Sequence, residues 1–297
     1  MTPNPVLKKL GFSETDRLVI LHTDDIGMCQ ASVQAFIDLW ENGTISSGAL
    51  MVPCPWAKVA ADYCKAHPGV DMGVHATVTA EWDSYRWGPI STRDPGTGLM
   101  DLNGFMWQSS QETQSNADPE AVLAELQLQV RRALAWGVNV THVDSHMGTV
   151  FHPKFLPAYI QAAAEVQVPV LLPRGDPSAF EHSMGMDAEA AAGFPAFTAQ
   201  LEEQGLPLID WVADMPLDQP EGQMEIAKKL LGELPFGVTH FLLHPSIDTP
   251  ELRAIAPDWP SRVANYRTFM DKEITTFIRN AGIQVVGYGD LKKTLAS

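Results

Sequence analysis

The chain has 297 residues, 45% of them hydrophobic and 19% charged, enough to bury a sizeable core as one large α/β domain or two smaller ones. Twenty basic against 36 acidic residues give a formal charge of −16, which repels nucleic acid and anionic membrane surfaces and suits a neutral or cationic small substrate. Cys29, Cys54 and Cys64 lack CxxC spacing, no apolar run nears the ~20 residues of a bilayer span, and no signal-peptide pattern opens the chain, so a cytoplasmic globular protein without disulfides, thiolate zinc or a membrane anchor is expected.

Short apolar runs alternate with amphipathic helical patterns throughout, the sign of βα units and a largely parallel sheet. "RLVIL" (17–21) reads as the first strand. It runs on into "HTDDIG", where adjacent Asp24 and Asp25 must either face water at a turn or hold something positive, because an unpaired buried carboxylate costs several kcal/mol. "ASVQAFIDLWENG" follows as a helix with Val33, Phe36, Ile37 and Trp40 on one face and Gly43 ending it. "ISSGALMV" (45–52) and "GVDMGVHATVT" (69–79) supply the next two strands.

Residues 80–117 break this rhythm, with Trp82, Trp87, Trp107 and several Pro and Gly but no sustained period, and read as a long functional loop inserted in the domain. In "DPEAVLAELQLQVRRALAWG", Asp118 can cap a helix, Pro119 suits its first position, and Leu123, Leu126, Val130 and Leu134 form the expected buried stripe. "VNVTHVD" (138–144), "VPVLLP" (168–173), "LIDWVA", "GVTHFLLH" (237–244) and "IQVVG" (283–287) read as further strands. Between them lie the helices "PAYIQAAAEV", "MEIAKKLLGEL" and a long "RVANYRTFMDKEITTFIRNAG", whose Tyr266, Phe269, Met270 and Phe277 face inward, and a Met-, Gly- and Ala-rich stretch over 183–196. About seven strands with one repeating βα unit, and no GxGxxG after the first strand, favour a closed or nearly closed, TIM-barrel-like (β/α) barrel over a doubly wound sheet, with residues 1–297 as a single catalytic domain.

Barrel enzymes place their chemistry at the carboxyl ends of the strands. Here those ends carry Asp24 and Asp25, His75, then His142, Asp144 and His146, then Arg174, and finally His244, a large share of nine histidines. Imidazole and carboxylate together suit a divalent metal ion. There is no HExxH and no HxH after the first strand, so spacing indicates a metal site and leaves its ligands open.

The stretches "HTDDIGMCQASVQAFIDLWENGTISSGALMV", "GVHATVT", "THVDSHMG" and "LLHPS" resemble, in order and at similar intervals, the ADDFG, GxHxxLT, HxDSHxH and HP motifs of the YdjC/ChbG family of carbohydrate deacetylases. The likeness spans nearly the whole chain and is weakest over 80–117 and about 175–230. It implies a distorted barrel and one divalent metal ion, zinc or magnesium, held by Asp25, His75 and His146. Asp24 would be the general base, His244 the general acid, and Arg174 would orient or tune Asp24. The implied activity removes the N-acetyl group of an amino sugar or short N-acetylated oligosaccharide and releases acetate. Departures are Ile26 in place of the family's Phe, and Met147 and Gly148 where further histidines are usual, which delays His152 and leaves it a structural or a substrate-rim role.

Asp24 must be ionised and His244 protonated for the implied roles, and acidic surroundings favour that assignment. Trp82, Trp87 and Trp107, with Tyr85, are candidates either to stack on a pyranose or to cover the barrel mouth. A metal-dependent hydrolase of another amide or ester shares these features, a non-catalytic sugar-binding protein fits them less well, and association into a homo-oligomer stays open.

Overall fold

The computed structural model describes residues 2–174 and 188–296, so the first part of the Met-, Gly- and Ala-rich stretch lies outside the described residues. Seven parallel strands form one sheet: β1 (Arg17–Ile26), β2 (Ser47–Leu50), β3 (Met72–Ala76), β4 (Val140–Ser145), β5 (Trp211–Asp214), β6 (Gly237–Leu243) and β7 (Gln284–Val285). Their spatial order is β4-β3-β2-β1-β6-β5, with β7 also on β1.

The two open sides of this order meet. Parallel bridges join Val143 of β4 to Val170, and Pro173 to Ile209, and Asp210 N–H donates to the Val238 carbonyl beside β5. The expected strand at 168–173 is therefore present as the short link that closes a distorted (β/α) barrel. The distortion sits at β1. One edge pairs with β6 from Arg17 to Thr23, while the other is divided between β7 at Leu18 and Val19 and β2 from His22 onward.

Strand periodicity sorts side chains into two layers. Leucine, isoleucine and valine fill the space between strands and helices, and an unusually polar set fills the barrel: His22 and Asp24 of β1, His75 of β3, His142 and Asp144 of β4, and His240 of β6, all buried. Gly73 makes room for this layer, since a Cβ there would lie 2.4 Å from the His142 ring.

Two helical readings need correction. In the helix Pro119–Ala135, capped by Asp118 as expected, Leu134 is exposed and the buried face instead carries Glu125 and Gln129. Glu125 accepts the N–H groups of Ile90 and Ser91, and Gln129 bonds Thr77 at both its amide atoms, so buried polar side chains serve backbone that would otherwise be orphaned. The long C-terminal helix is two, Trp259–Met270 and Lys272–Asn280, because Asp271 leaves helical geometry to cap the second through Glu273 N–H. The segment after β3 carries a single 3-10 turn, Pro95–Thr97, and one short α-helix, Ser110–Asn116, with a capping box between Ser109 and Glu112.

Candidate metal centre and active site

Asp24 and Asp25 reach one site through a bulge. Three steps along β1, from Thr23 to Ile26, oppose two along β2, from Gly48 to Leu50, and Asp25 takes a positive φ of 59°. The strand thus continues to Ile26, and a left-handed residue inside it, not its end, turns the second carboxylate toward the first. Such geometry in a non-glycine residue is uncommon and concentrates at functional sites. Gly27, at φ 94°, completes the turn, and a Cβ on it would lie 2.7 Å from the Ala57 backbone.

Around this corner the donors converge. Asp25 Oδ1 lies 3.5 Å from His75 Nε2 and 3.2 Å from His146 Nδ1. Donor atoms of the three residues all fall within 4.8 Å of one another, and all three side chains are buried. Donors 2.0–2.1 Å from a tetrahedral zinc ion stand roughly 3.3 Å apart, so the set fits a divalent ion with one carboxylate and two imidazole ligands. The nitrogen of each imidazole that faces away is held by a carboxylate: His75 Nδ1 by Asp144 at 2.8 Å and His146 Nε2 by Glu81 at 3.0 Å. That arrangement fixes ring orientation and raises ligand basicity at metal centres. Asp25 Oδ2 is occupied by Arg262 Nη1 at 2.7 Å, which leaves Oδ1 to the histidines.

Asp24 stands beside this group. Its Oδ1 accepts from His22 Nδ1 at 2.7 Å, and its Oδ2 lies 3.7 Å from His75 Nε2 and 3.8 Å from His244 Nε2. With Ser145, Met147, Phe151, Leu171, Pro173, Val212, Asp214 and Leu242, Asp24 and His244 line a cavity of about 310 Å³. Met147 and Gly148, where the sequence departs from the family's histidines, both have positive φ and turn the chain along the cavity wall. Other acceptor capacity remains unspent: among the described residues neither Asp144 Oδ2 nor His244 Nδ1 has a hydrogen-bond partner.

Electrostatics separates these groups. Burial by itself raises the Asp24 carboxyl, yet His75 and His22 hold it well below the usual carboxylate range. Burial likewise opposes charge on Asp25, and Arg262 and the two histidines override it downward. His146 is pushed up to about 9, since Glu81 and Asp25 outweigh its burial. His244 moves the other way. Burial lowers it, Arg262 and His75 add to that, and the nearby Asp25 and Asp24 do not compensate. The expectation that acidic surroundings keep His244 protonated is corrected accordingly.

Arg174 is not at this site. Its guanidinium bonds Glu202, Asp210 and both the carbonyl and hydroxyl of Thr2, so the expected tuning of Asp24 by Arg174 is also corrected. The guanidinium near the aspartates is Arg262, missed in the sequence although it lies four and seven residues before the inward-facing Tyr266 and Phe269. Glu81 was missed too. Trp82 and Trp87 are buried, and Trp107 is half-buried. Trp87 Nε1 donates to the Thr79 carbonyl, Trp107 Nε1 to that of Gly98, and Trp82 backs the Arg262 guanidinium at 5.7 Å. None of the three lines the cavity beside Asp24, and their contacts are those of anchors for the loop. His152 Nδ1 accepts from Lys154 N–H, outside the cluster, and His142 lies lower in the barrel against His22.

Comparisons with known proteins give the chain's relatives. The model of a family described as YdjC-like protein matches residues 18–280. A carbohydrate deacetylase of Thermus thermophilus is 30% identical over 273 residues, covering 91% of this chain and 92% of that protein. Another carbohydrate deacetylase, from Thermoanaerobacter pseudethanolicus, is 25% identical over 276 residues and is covered completely, with 93% of this chain. A solved structure from Enterococcus faecalis, provisionally described as a cellobiose-phosphate cleavage protein, superposes with a TM-score of 0.75 at 20% identity, over 93% of this chain and 99% of that one, a likeness of fold.

Proposed function

The chain belongs to the YdjC-like family, and from that membership and the cluster around Asp25 we propose that it is a metal-dependent carbohydrate deacetylase releasing acetate from an N-acetylated amino sugar or short oligosaccharide. The observation that carries the reading is the convergence of Asp25, His75 and His146, each histidine held from behind by a carboxylate, beside the cavity that Asp24 and His244 line. Its volume of about 310 Å³ is at the lower end of small-molecule sites, ~300–1,000 Å³, which suits one sugar ring with its acetamido group.

Asp25, His75 and His146 would hold the ion, and two imidazoles with one carboxylate favour zinc over magnesium, which prefers all-oxygen sites. Bound there, a divalent cation supplies Lewis-acid polarisation of the acetyl carbonyl and lowers the pKa of the attacking water. Asp24, ionised and with Oδ2 facing the cavity, takes a proton from that water as it adds to the acetyl carbon. Collapse of the tetrahedral adduct breaks the C–N bond, and the departing nitrogen needs the proton just taken. His244 starts neutral, so it serves as a carrier: it receives the proton from Asp24, 3.8 Å away, and delivers it to the nitrogen. One proton moves from water to amine and the balance closes.

The reading is tested by elemental analysis of the purified protein followed by acetate release from N-acetylglucosamine and its β-linked dimer and trimer, with and without chelator. Metal near one equivalent and chelator-sensitive acetate release is the expected result. Metal without acetate release on any of these would point to another amide or ester, and protein that takes up no metal would sink the proposal.

A further inference from the structure

Beneath the site a column of buried side chains runs down the inside of the barrel. His22, whose Nδ1 meets Asp24, places its Nε2 2.9 Å from His142 Nε2. His142 Nδ1 lies 3.0 Å from Thr141 Oγ1, and Thr141 Oγ1 lies 2.5 Å from Asp71 Oδ1. Asp71, just before β3, ends the column at the wall of a second cavity of about 650 Å³, which Thr141 also lines. The column is built in. Tyr288 stacks on His142 at 3.8 Å, and a Cβ on Gly287 would lie 2.3 Å from Asp71 Oδ2.

Every link in such a chain needs one proton, and a neutral imidazole donates from one nitrogen only. If Asp24 accepts from His22 Nδ1, as a base must, His22 Nε2 can only accept. His142 then donates from Nε2 and accepts at Nδ1 from the Thr141 hydroxyl. That hydroxyl has no proton left for Asp71, so the short contact between them must carry a proton of Asp71's own. Asp71 Oδ2 accepts Gly289 N–H at 2.6 Å and Ser47 Oγ donates to Oδ1 at 3.0 Å, which leaves Oδ1 as the protonated oxygen, aimed at Thr141.

We propose that Asp71 is a neutral carboxylic acid that sets the direction of this chain, and that Asp71, Thr141, His142 and His22 are positioning residues for Asp24, an inference that rests on reading Asp24 as the base. The rival arrangement moves the proton up to His22, making an imidazolium between Asp24 and Asp144 Oδ2, 3.5 Å from His22 Nε2, and leaves Asp71 ionised. Asp71 has little to stabilise that charge. Its hydrogen-bond partners are two hydroxyls and one amide, and His142 Nδ1 stands 3.9 Å from Oδ1; Lys292, on the same cavity wall, donates to the Val140 carbonyl, and Lys293 pairs with Asp290. Burial raises the Asp71 carboxyl against the opposing pull of Gly289 N–H, its two hydroxyl neighbours and His22, and burial with neighbouring His22 and His240 lowers His142 well below the usual imidazole range. The chain pins Asp24 Oδ1 and leaves Oδ2 to face the cavity.

The test uses the full chain loaded with zinc. Infrared difference spectra between parent and Asp71→Asn should show a protonated carboxyl carbonyl band lost in the variant. Ring-nitrogen NMR should find His22 as the Nδ1–H and His142 as the Nε2–H tautomer in both proteins. Asp71→Leu, which can neither donate to Thr141 nor accept from Gly289, should lower kcat for acetate release at least about tenfold at unchanged metal content, and Asp71→Asn, which can do both, should restore most of it. An ionised Asp71, a doubly protonated His22, a folded, metal-loaded Asp71→Leu with parental kcat, or an Asp71→Asn no better than Asp71→Leu overturns the proposal. A parent protein without deacetylase activity that still shows the acid band and both tautomers supports the chain and overturns the functional reading instead.

Discussion

Two buried charge clusters lie at different levels of this barrel, and they differ in what they leave unspent. Arg174 gathers Glu202, Asp210 and Thr2, while Asp210 also accepts from Asn4 and from Val238 N–H, so cation and anions satisfy one another. The upper cluster groups Asp24, Asp25, Glu81 and Asp144 with Arg262 and with His75 and His146, whose inner nitrogens lie 3.5 and 3.2 Å from the same Asp25 oxygen. Buried charge alone marks neither as functional. A cluster closed on itself holds the fold, and one in which a carboxylate oxygen and two imidazoles converge is suited to bind a metal ion.

Substitutions in the upper cluster should separate holding the ion from using it. The largest effect is expected from His75→Ala or His146→Ala, which should abolish stoichiometric metal by elemental analysis and bring acetate release to background. Asp24→Asn should keep the metal and lower kcat by about 10²- to 10⁴-fold. Metal retained by His75→Ala, or lost from Asp24→Asn, would break the division of labour between the adjacent aspartates. Asp144→Asn and Glu81→Gln come next: each loosens the rear support of one imidazole and should weaken metal affinity about 10- to 100-fold in a chelator competition, with activity restored by excess metal.

Legibility in the sequence followed the same division. Strands, their order of use, and Asp24, Asp25, Asp144, His75, His146 and His244 were readable because strand ends are marked by residue type and the motifs stand in order; Glu81, in the loop after β3, was not. Their geometry was not: a single inserted residue on β1 brings Asp24 and Asp25 together, and nothing local announces that Asp25 turns left-handed. Arg174 misled for a related reason. It stands just past an expected strand, and Asp25 and His75 also lie near the ends of theirs, but its partners come from positions 2, 202 and 210, contacts that no spacing reveals. Glu125 and Gln129 stand outside the expected apolar stripe of their helix and are nevertheless buried, because the amides of the segment after β3 need them. Arg262 carried a usable signal, a base on an inward stripe.

The comparison is sharpest in its smallest effect on activity. Arg174→Ala removes the cation from Asp210, buried beside the start of β6, and from the half-buried Glu202. Breaking a buried pair on one side costs about 3–5 kcal/mol, so the denaturation midpoint should fall substantially. The folded fraction should nevertheless bind one metal and turn over at the parent kcat, because none of these groups touches Asp24, Asp25 or the cavity. Paired removal of the acids, Glu202→Gln with Asp210→Asn in the Arg174→Ala background, should recover part of the lost stability, since no charge is then left stranded. If Arg174→Ala instead lowers kcat at unchanged metal content and unfolding midpoint, the two clusters are coupled and the lower one is part of the catalytic apparatus after all.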